Sequence, residues 1–376
     1  MRVDTAHTQP SRRQLLAALL AGALPSAWGQ SHPTDRATRA QVLRAWPTGN
    51  ELLAPLSLHQ GSVLFAGDKT LGRIDTRVAK PAWQVEHGFG DEAVFRPRAA
   101  GALVVAGSLA AMGGWDLVHG RRRWRYQAHT QLGVPWVTES HTYVGDGHAL
   151  VAIDCVTGRP AWRFEGTPDT LASYAPTVQG DRVFFSPGNG ILYCLRRSDG
   201  QLLWQLDRSA EWQYLRQLYV AGDVLVAGSY KELLYGISTR DGRVLWTFNA
   251  GNFINSHHVS DDSAYLWSPT GWVYAIDTRD GNVRWRHQTT DYSQAANNWG
   301  PMMAELATRG ERLFALDMNH VLHVLHRESG KELQRFVFDR ALRPGVLPLP
   351  GSEAVVATEQ GRIERVALRD LALANQ

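Results

Sequence analysis

Along almost the whole chain, short runs alternate hydrophobic with polar or small residues, as in Asp181-Arg182-Val183-Phe184-Phe185-Ser186 and Asp223-Val224-Leu225-Val226-Ala227-Gly228. A period of two over four to eight residues predicts β-strands. Each run is preceded by a looser strand that often starts near a Pro. It is followed by two more strands joined at a fixed punctuation. Ala152-Ile153-Asp154-Cys155-Val156-Thr157-Gly158-Arg159-Pro160-Ala161-Trp162 and Ala275-Ile276-Asp277-Thr278-Arg279-Asp280-Gly281-Asn282-Val283-Arg284-Trp285 align position by position. The frame is Asp, Gly four residues on, and Trp four residues after that.

The frame returns as Asp116, Gly120, Trp124; as Arg196, Gly200, Trp204; and as Ser238, Gly242, Trp246. Worn copies are Asp75, Ala79, Trp83 and His326, Gly330, Gln334. The Trp positions 83, 124, 162, 204, 246 and 285 give a period near forty, the length of a four-stranded propeller blade. The Gly suits a tight turn that needs positive φ, and the Asp or Thr beside it can bond the turn backbone. The Trp reads as a wedge between blades, its N–H meeting a partner.

Seven copies are visible, and the ends supply an eighth. Glu353–Ala357 and Arg362–Leu368 form the middle strands of another blade with no Trp strand after them, whereas Val42-Leu43-Arg44-Ala45-Trp46 is a Trp strand with no turn before it. Pairing the two closes the ring and removes an open sheet edge. The sequence therefore predicts an all-β fold, an eight-bladed β-propeller of four-stranded antiparallel blades whose last blade is closed by an N-terminal strand. A seven-bladed ring with residues 35–55 as a tail is the alternative.

Residues 42 to 368 resemble the PQQ-like (quinoprotein alcohol dehydrogenase-like) eight-bladed propeller family, whose repeat reads Ala-hydrophobic-Asp-x-x-Thr-Gly-x-x-x-Trp; Asp154, Thr157, Gly158 and Trp162 match it in full. The resemblance implies a fold that hosts unrelated functions. In size it is similar to the bare scaffold propellers of the outer-membrane β-barrel assembly machine, a non-catalytic class. The quinoprotein dehydrogenases of the family imply the alternative, a site for PQQ and calcium in which Trp299, Asn298, Arg216 and Asp291 would serve. Those enzymes carry long insertions and a vicinal cysteine pair, and neither is found here. No cofactor is expected on the scaffold reading.

Ser11-Arg12-Arg13 opens an apolar run from Leu15 to Leu24, and Ala27 and Gly29 sit three and one before a cut ahead of Gln30. Residues 1–29 thus read as a cleaved export signal of the twin-arginine kind, with the general secretory route as the alternative, and the run is too short for a transmembrane segment. No Cys near the cut offers a lipid anchor. The expected organisation is a flexible mature N-terminus at 30–41, one propeller at 42–368 and a tail at 369–376, located in the periplasm.

Export favours disulfides, yet Cys155 and Cys194 fall in neighbouring repeats at heights three residues apart, roughly 10 Å by strand rise. Disulfides need Cα atoms within about 7 Å, so two buried free thiols are expected.

A formal charge of +3 with no basic stripe argues against a nucleic-acid partner. HExxH, CxxC, P-loop and GxSxG motifs are absent from the sequence. In a propeller the outer-to-inner crossovers share one face, and the Gly turns lie on the other. The crossovers here are rich in aromatic, Arg and amide groups, and the candidate binding residues are Arg96, Tyr174, Trp212, Tyr214, Arg216, Asn255, His257, Asn298 and Trp299. With Trp136, the last two tryptophans suggest an aromatic funnel mouth. His257 and His258 are adjacent on a strand and point to opposite faces, so no metal is assigned to them. The expected role is that of a monomer working within a complex, with another envelope protein as partner.

Overall fold

The structure, a computed structural model, describes residues 37–90, 94–188, 190–212, 215–229, 232–251, 254, 256–268, 271–289, 306–317 and 319–368. The predicted export signal and C-terminal tail lie outside them. The described residues form eight sheets of four antiparallel strands, one of them with an added fifth strand, and each set of four runs inner to outer in chain order except the last. The inner strands are Ser57–His59, Arg98–Ala100, Trp136–Val137, Thr177–Gln179, Leu215–Ala221, Ser256–Ser260, Ala307–Arg309 and Leu347–Leu349, which open blades 1 to 8. No described helix is long and apolar enough to cross a membrane.

Burial follows from the stacking of blades. Second strands such as Ser62–Ala66, Leu103–Gly107 and Val224–Ser229 are buried at every position, because a neighbouring blade covers each face. Outer strands alternate, as in Leu202–Asp207, since only one of their faces meets the next blade. In blades 2 to 7 the outer strand carries one extra residue beside the Trp position, as between Ala152 and Ile153 on the partner strand. Such a bulge increases the local twist. It also places Leu203, Leu245 and Leu333 in solvent on the rim.

The Asp-Gly-Trp frame joins each blade to the next. Trp124 Nε1 donates to the Cys155 carbonyl at 2.9 Å, and its ring lies on Gly158 of blade 3. The same pair of contacts joins Trp83 to Leu117 and Gly120, Trp162 to Arg197 and Gly200, and Trp246 to Thr278 and Gly281. Asp154 Oδ1 accepts from the Val156 and Thr157 amides and from the Thr157 hydroxyl, shaping the turn under the ring. Gly158 has φ of +71°, and a Cβ there would fall on the Trp124 side chain. Replacing Gly158 with alanine is expected to cost about 2 kcal/mol, from left-handed strain together with overpacking of the indole. A lowered denaturant midpoint would show it, whereas Thr157→Ala should cost about half as much.

The ring closes as the end strands suggest. Gln41–Pro47 pairs antiparallel with Arg362–Ala367 as the outer strand of blade 8, and Trp46 Nε1 reaches the Val78 carbonyl of blade 1 at 3.1 Å. Seven seams therefore carry a Trp. At the eighth, between blades 7 and 8, Gln334 occupies the Trp position, and the chain uses another device. Thr38–Arg39 adds a parallel fifth strand to blade 7, pairing with Phe336 and Val337. Buried Ala40 then leads the chain across into blade 8. Residues 38–40, expected to be flexible, are thus pinned by backbone hydrogen bonds and by an Arg39–Asp339 ion pair. Arg340 adds an ion pair to Glu364 of blade 8 at 2.6 Å. Cys155 and Cys194 are both buried and free, and burial pushes both thiols up, Cys194 to about 12.

Candidate functional site

The inner strands leave a cavity of about 280 Å³ on the axis of the ring. Its wall is uneven. Leu56 and Leu58 of blade 1, Leu306 and Ala307 of blade 7, and Val346 and Leu347 of blade 8 make one side apolar, while Arg96, Gln217, Tyr219, His257, His258 and Arg309 make the rest polar. None of the described lining residues is acidic.

Period two accounts for Gln217 and Tyr219, but not for the adjacent His257 and His258 or for Thr308 and Arg309. On the inner strand Leu215–Ala221 the pairing slips between Leu215 and Leu218, and Gln217 and Tyr219 line the channel. The next inner strand brings His257 and His258, which diverge. His257 is 3% exposed, lies beside Gly228 of blade 5 and stands edge-on to Tyr219 at 5.2 Å. His258 turns to blade 7, its Nε2 3.0 Å from the Thr308 hydroxyl. Burial, reinforced by His258 next to it, lowers the His257 pKa to about 3, so its ring is neutral at physiological pH. The buried Nε2 of His257 has no hydrogen-bond partner among the described residues. Among these residues no group of three His, Cys, Asp or Glu is arranged to hold a metal.

Of the nine candidates, Arg96 and His257 meet in this cavity. Trp212 does not: it is 3% exposed in the packing between blades 4 and 5, its ring 5.1 Å from Tyr235. Tyr174 is half-buried in the crossover from blade 3 to blade 4, and Arg216 sits at the pairing slip of blade 5, neither of them on the cavity wall. Tyr214, Asn255, Asn298 and Trp299 lie outside the described residues. The aromatic funnel is corrected in part. Trp136 packs under the Arg98 guanidinium at 5.4 Å, and among the described residues the aromatic ring on the cavity wall is Tyr219.

Gln217, Tyr219 and Arg309 are not among the predicted site residues because they lie within inner strands and not in the crossovers, whereas His258 is named beside His257 without a binding role. The signal was present in Gln217 and Tyr219, which stand two apart on one inner strand and so share a face.

Comparison with known proteins places this geometry. A sequence profile described as outer membrane protein assembly factor BamB matches residues 67–217 and 209–335. BamB of Bordetella pertussis is 25% identical over 216 residues, covering 54% of this chain and 55% of that protein. BamB of Marinobacter adhaerens is 30% identical over 114 residues, covering 30% of this chain and 28% of that protein. The matched stretches thus span about half the length of these relatives or less. In fold, the chain is similar to the crystal structure of BamB from Moraxella catarrhalis, with a TM-score of 0.67 at 16% identity, over 87% of this chain and 99% of that one. The computationally designed Ika8 protein is similar too, with a TM-score of 0.73 at 13% identity, over 86% and 99% of the two chains. With the profile reaching from residue 67 to residue 335, well over half of its length, the chain belongs to the family of the outer membrane protein assembly factor BamB.

Proposed function

We propose that the protein is an exported, non-catalytic scaffold that works in the periplasm within the assembly of outer-membrane proteins, holding another envelope protein. The observation that carries this reading is the match of its repeats to an assembly-factor family whose name states that role. The architecture supports it. Every described strand belongs to one of the eight blades, so the described chain is a single ring that presents its crossovers and turns on two faces. Rigid rings of this kind present loops from a fixed frame, which suits protein binding.

Crosslinking in living cells, followed by affinity capture and mass spectrometry, tests the reading. One dominant partner from the outer-membrane assembly machinery is expected, with the mature chain in the periplasmic fraction; a monomer with no crosslinked partner would overturn it. The competing reading, a PQQ- and calcium-dependent dehydrogenase, is tested with the same protein. Adding PQQ and then calcium is expected to give no calcium-dependent change in absorbance or melting temperature.

A further inference from the structure

We propose that the outer edges of blades 4 and 5 are binding sites for an extended polypeptide segment with apolar residues at alternate positions, taken up as an added β-strand. This deepens the scaffold reading by naming the kind of chain that is held, and it rests on that reading only for the source of the segment.

An outer strand that ends its sheet leaves one row of backbone N–H and C=O groups unpaired. Proteins guard such edges against stray strands with charges, prolines, short length or a covering strand. Blades 1 to 3 and 6 to 8 each use one of these devices. The outer strand of blade 1, Trp83–Glu86, has only four residues. That of blade 2 carries Arg122, Arg123 and Arg125, all exposed. Blade 3 has Pro160, blade 6 has Arg284 and Arg286, and blade 8 has Arg44 and Pro47. Blade 7 is covered by Thr38–Arg39. Blades 4 and 5 have none of these. Their outer strands, Leu202–Asp207 and Val244–Asn249, are six residues each, hold no Lys, Arg or Pro, and end their sheets among the described residues. They expose Leu202 (43%), Leu203 (40%) and Leu245 (42%) instead.

Blade 7 shows how such an edge takes a strand. Thr38 and Arg39 pair in parallel with Phe336 and Val337, and the Ala40 amide donates to the Val337 carbonyl at 3.0 Å. The extra residue of the outer strand is leucine there, Leu333, and leucine again in blades 4 and 5, Leu203 and Leu245. In blades 2, 3 and 6 it is Arg123, Ala161 and Arg284. Counted from the turn Gly of each blade, Leu206 and Phe248 stand where Phe336 stands. Phe336 is 1% exposed and shares a cluster with Ala40, whereas Leu206 and Phe248 are half-buried. Every second side chain of an added strand falls on the face of Leu206 or Phe248, so apolar residues there extend the packing between blades. The opposite face carries exposed Gln205, Asp207, Thr247 and Asn249, which suits polar residues at the positions between. The bulge twists these edges, which opposes flat pairing with the same edge of a second, rigid copy. A short flexible segment follows the twist, as Thr38–Arg39 does on the equally bulged blade 7.

The probe is a fluorescein-labelled nonapeptide of alternating Thr and Leu, titrated by anisotropy into the mature protein. Saturable binding is expected, at least about tenfold tighter than for a peptide of the same composition with contiguous leucines, or for one N-methylated at alternate amides. Hydrogen exchange should slow on binding in residues 202–207 and 244–249 and stay unchanged in 122–127. Leu203→Lys combined with Leu245→Lys, both at solvent-exposed positions, should weaken the peptide by about tenfold or more while the melting temperature holds. Equal affinity for either control peptide, unchanged affinity in the double variant, or protection confined to other strands would each overturn the proposal. So would self-association of the protein that the two lysines abolish, since a second copy would then be the occupant. The titration uses no envelope protein, so a peptide that fails to bind leaves the crosslinking test of the scaffold reading standing, and the converse holds too.

Discussion

Replacing Trp46 with alanine is expected to destabilise the protein by about 3–5 kcal/mol, the range for losing a large aromatic side chain from a packed core. Trp46 is 1% exposed and packs among Leu53, Phe65, Ile74, Val355 and Ile363, so it touches both blade 8 and blade 1. Other repeat tryptophans join blades that the chain already connects. Trp46 sits on the one strand that joins the two ends of the chain across the ring, paired through Gln41–Pro47 to Arg362–Ala367. Removing the indole leaves a cavity at the seam, and the hydrogen bond to the Val78 carbonyl goes with it. Denaturant unfolding should show the lower midpoint, and Trp46→Phe should recover most of it. Deleting residues 30–47 altogether exposes the edge of Arg362–Ala367, and the expected result is concentration-dependent association measured by light scattering. A monomeric, fully stable deletion would show that the closing strand is dispensable.

The closure was legible because its two halves kept complementary parts of the repeat: a Trp strand without a turn at one end, and middle strands without a Trp strand at the other. The seam between blades 7 and 8 was not legible. Gln334 announces that the Trp is missing, but nothing in Thr38-Arg39-Ala40 marks those residues as a parallel fifth strand. Their pairing is made by backbone groups, which carry no side-chain signature. The free thiols were legible for the opposite reason, since register along the repeat fixes relative height.

The cavity divides in the same way. Arg96 and His257 stand in crossovers or at strand starts, where irregular polar residues draw attention. Gln217, Tyr219 and Arg309 stand within strands, where a polar residue reads as an ordinary solvated face. What makes them different is that their open side faces the axis rather than bulk water, a property of ring closure and not of any single blade. Trp212 misled in the other direction, because a crossover aromatic can fold back between blades and join the packing of Leu215 and Leu218.

Glu332→Gln is expected to cost about 3–5 kcal/mol near pH 6, because it breaks a buried charge cluster and strands its cations. The cluster lies in blade 7. His323 Nδ1 is 2.7 Å from Glu332 Oε1, its Nε2 is 3.6 Å from Asp317, and Arg335 donates to Glu332 Oε2 at 2.7 Å. His323, Asp317 and Glu332 are each no more than 5% exposed, and His287 of blade 6 lies close enough to interact with Glu332 and His323. Burial opposes charge on both His323 and Glu332, yet the pairing wins. Burial alone would raise Glu332, but hydrogen bonds from His323 and Arg335 outweigh it and hold the carboxyl at about 2. Burial alone would lower His323, but Asp317 and Glu332 outweigh it and hold the imidazole above its ordinary value. A histidine held up stabilises fully below its unfolded pKa of about 6.5 and loses that stabilisation as pH rises through its folded value. A glutamate held down stabilises above about 4.3 and loses it as pH falls towards its folded value. The two windows overlap between about pH 4.5 and 6.5. The gap in stability between the native protein and Glu332→Gln should therefore be widest there, shrinking as pH rises through the raised folded value of His323. Denaturant titrations at pH 5.5 and 8.5 measure that gap directly. A gap that stays constant across the range would mean that Glu332 acts through Arg335 alone.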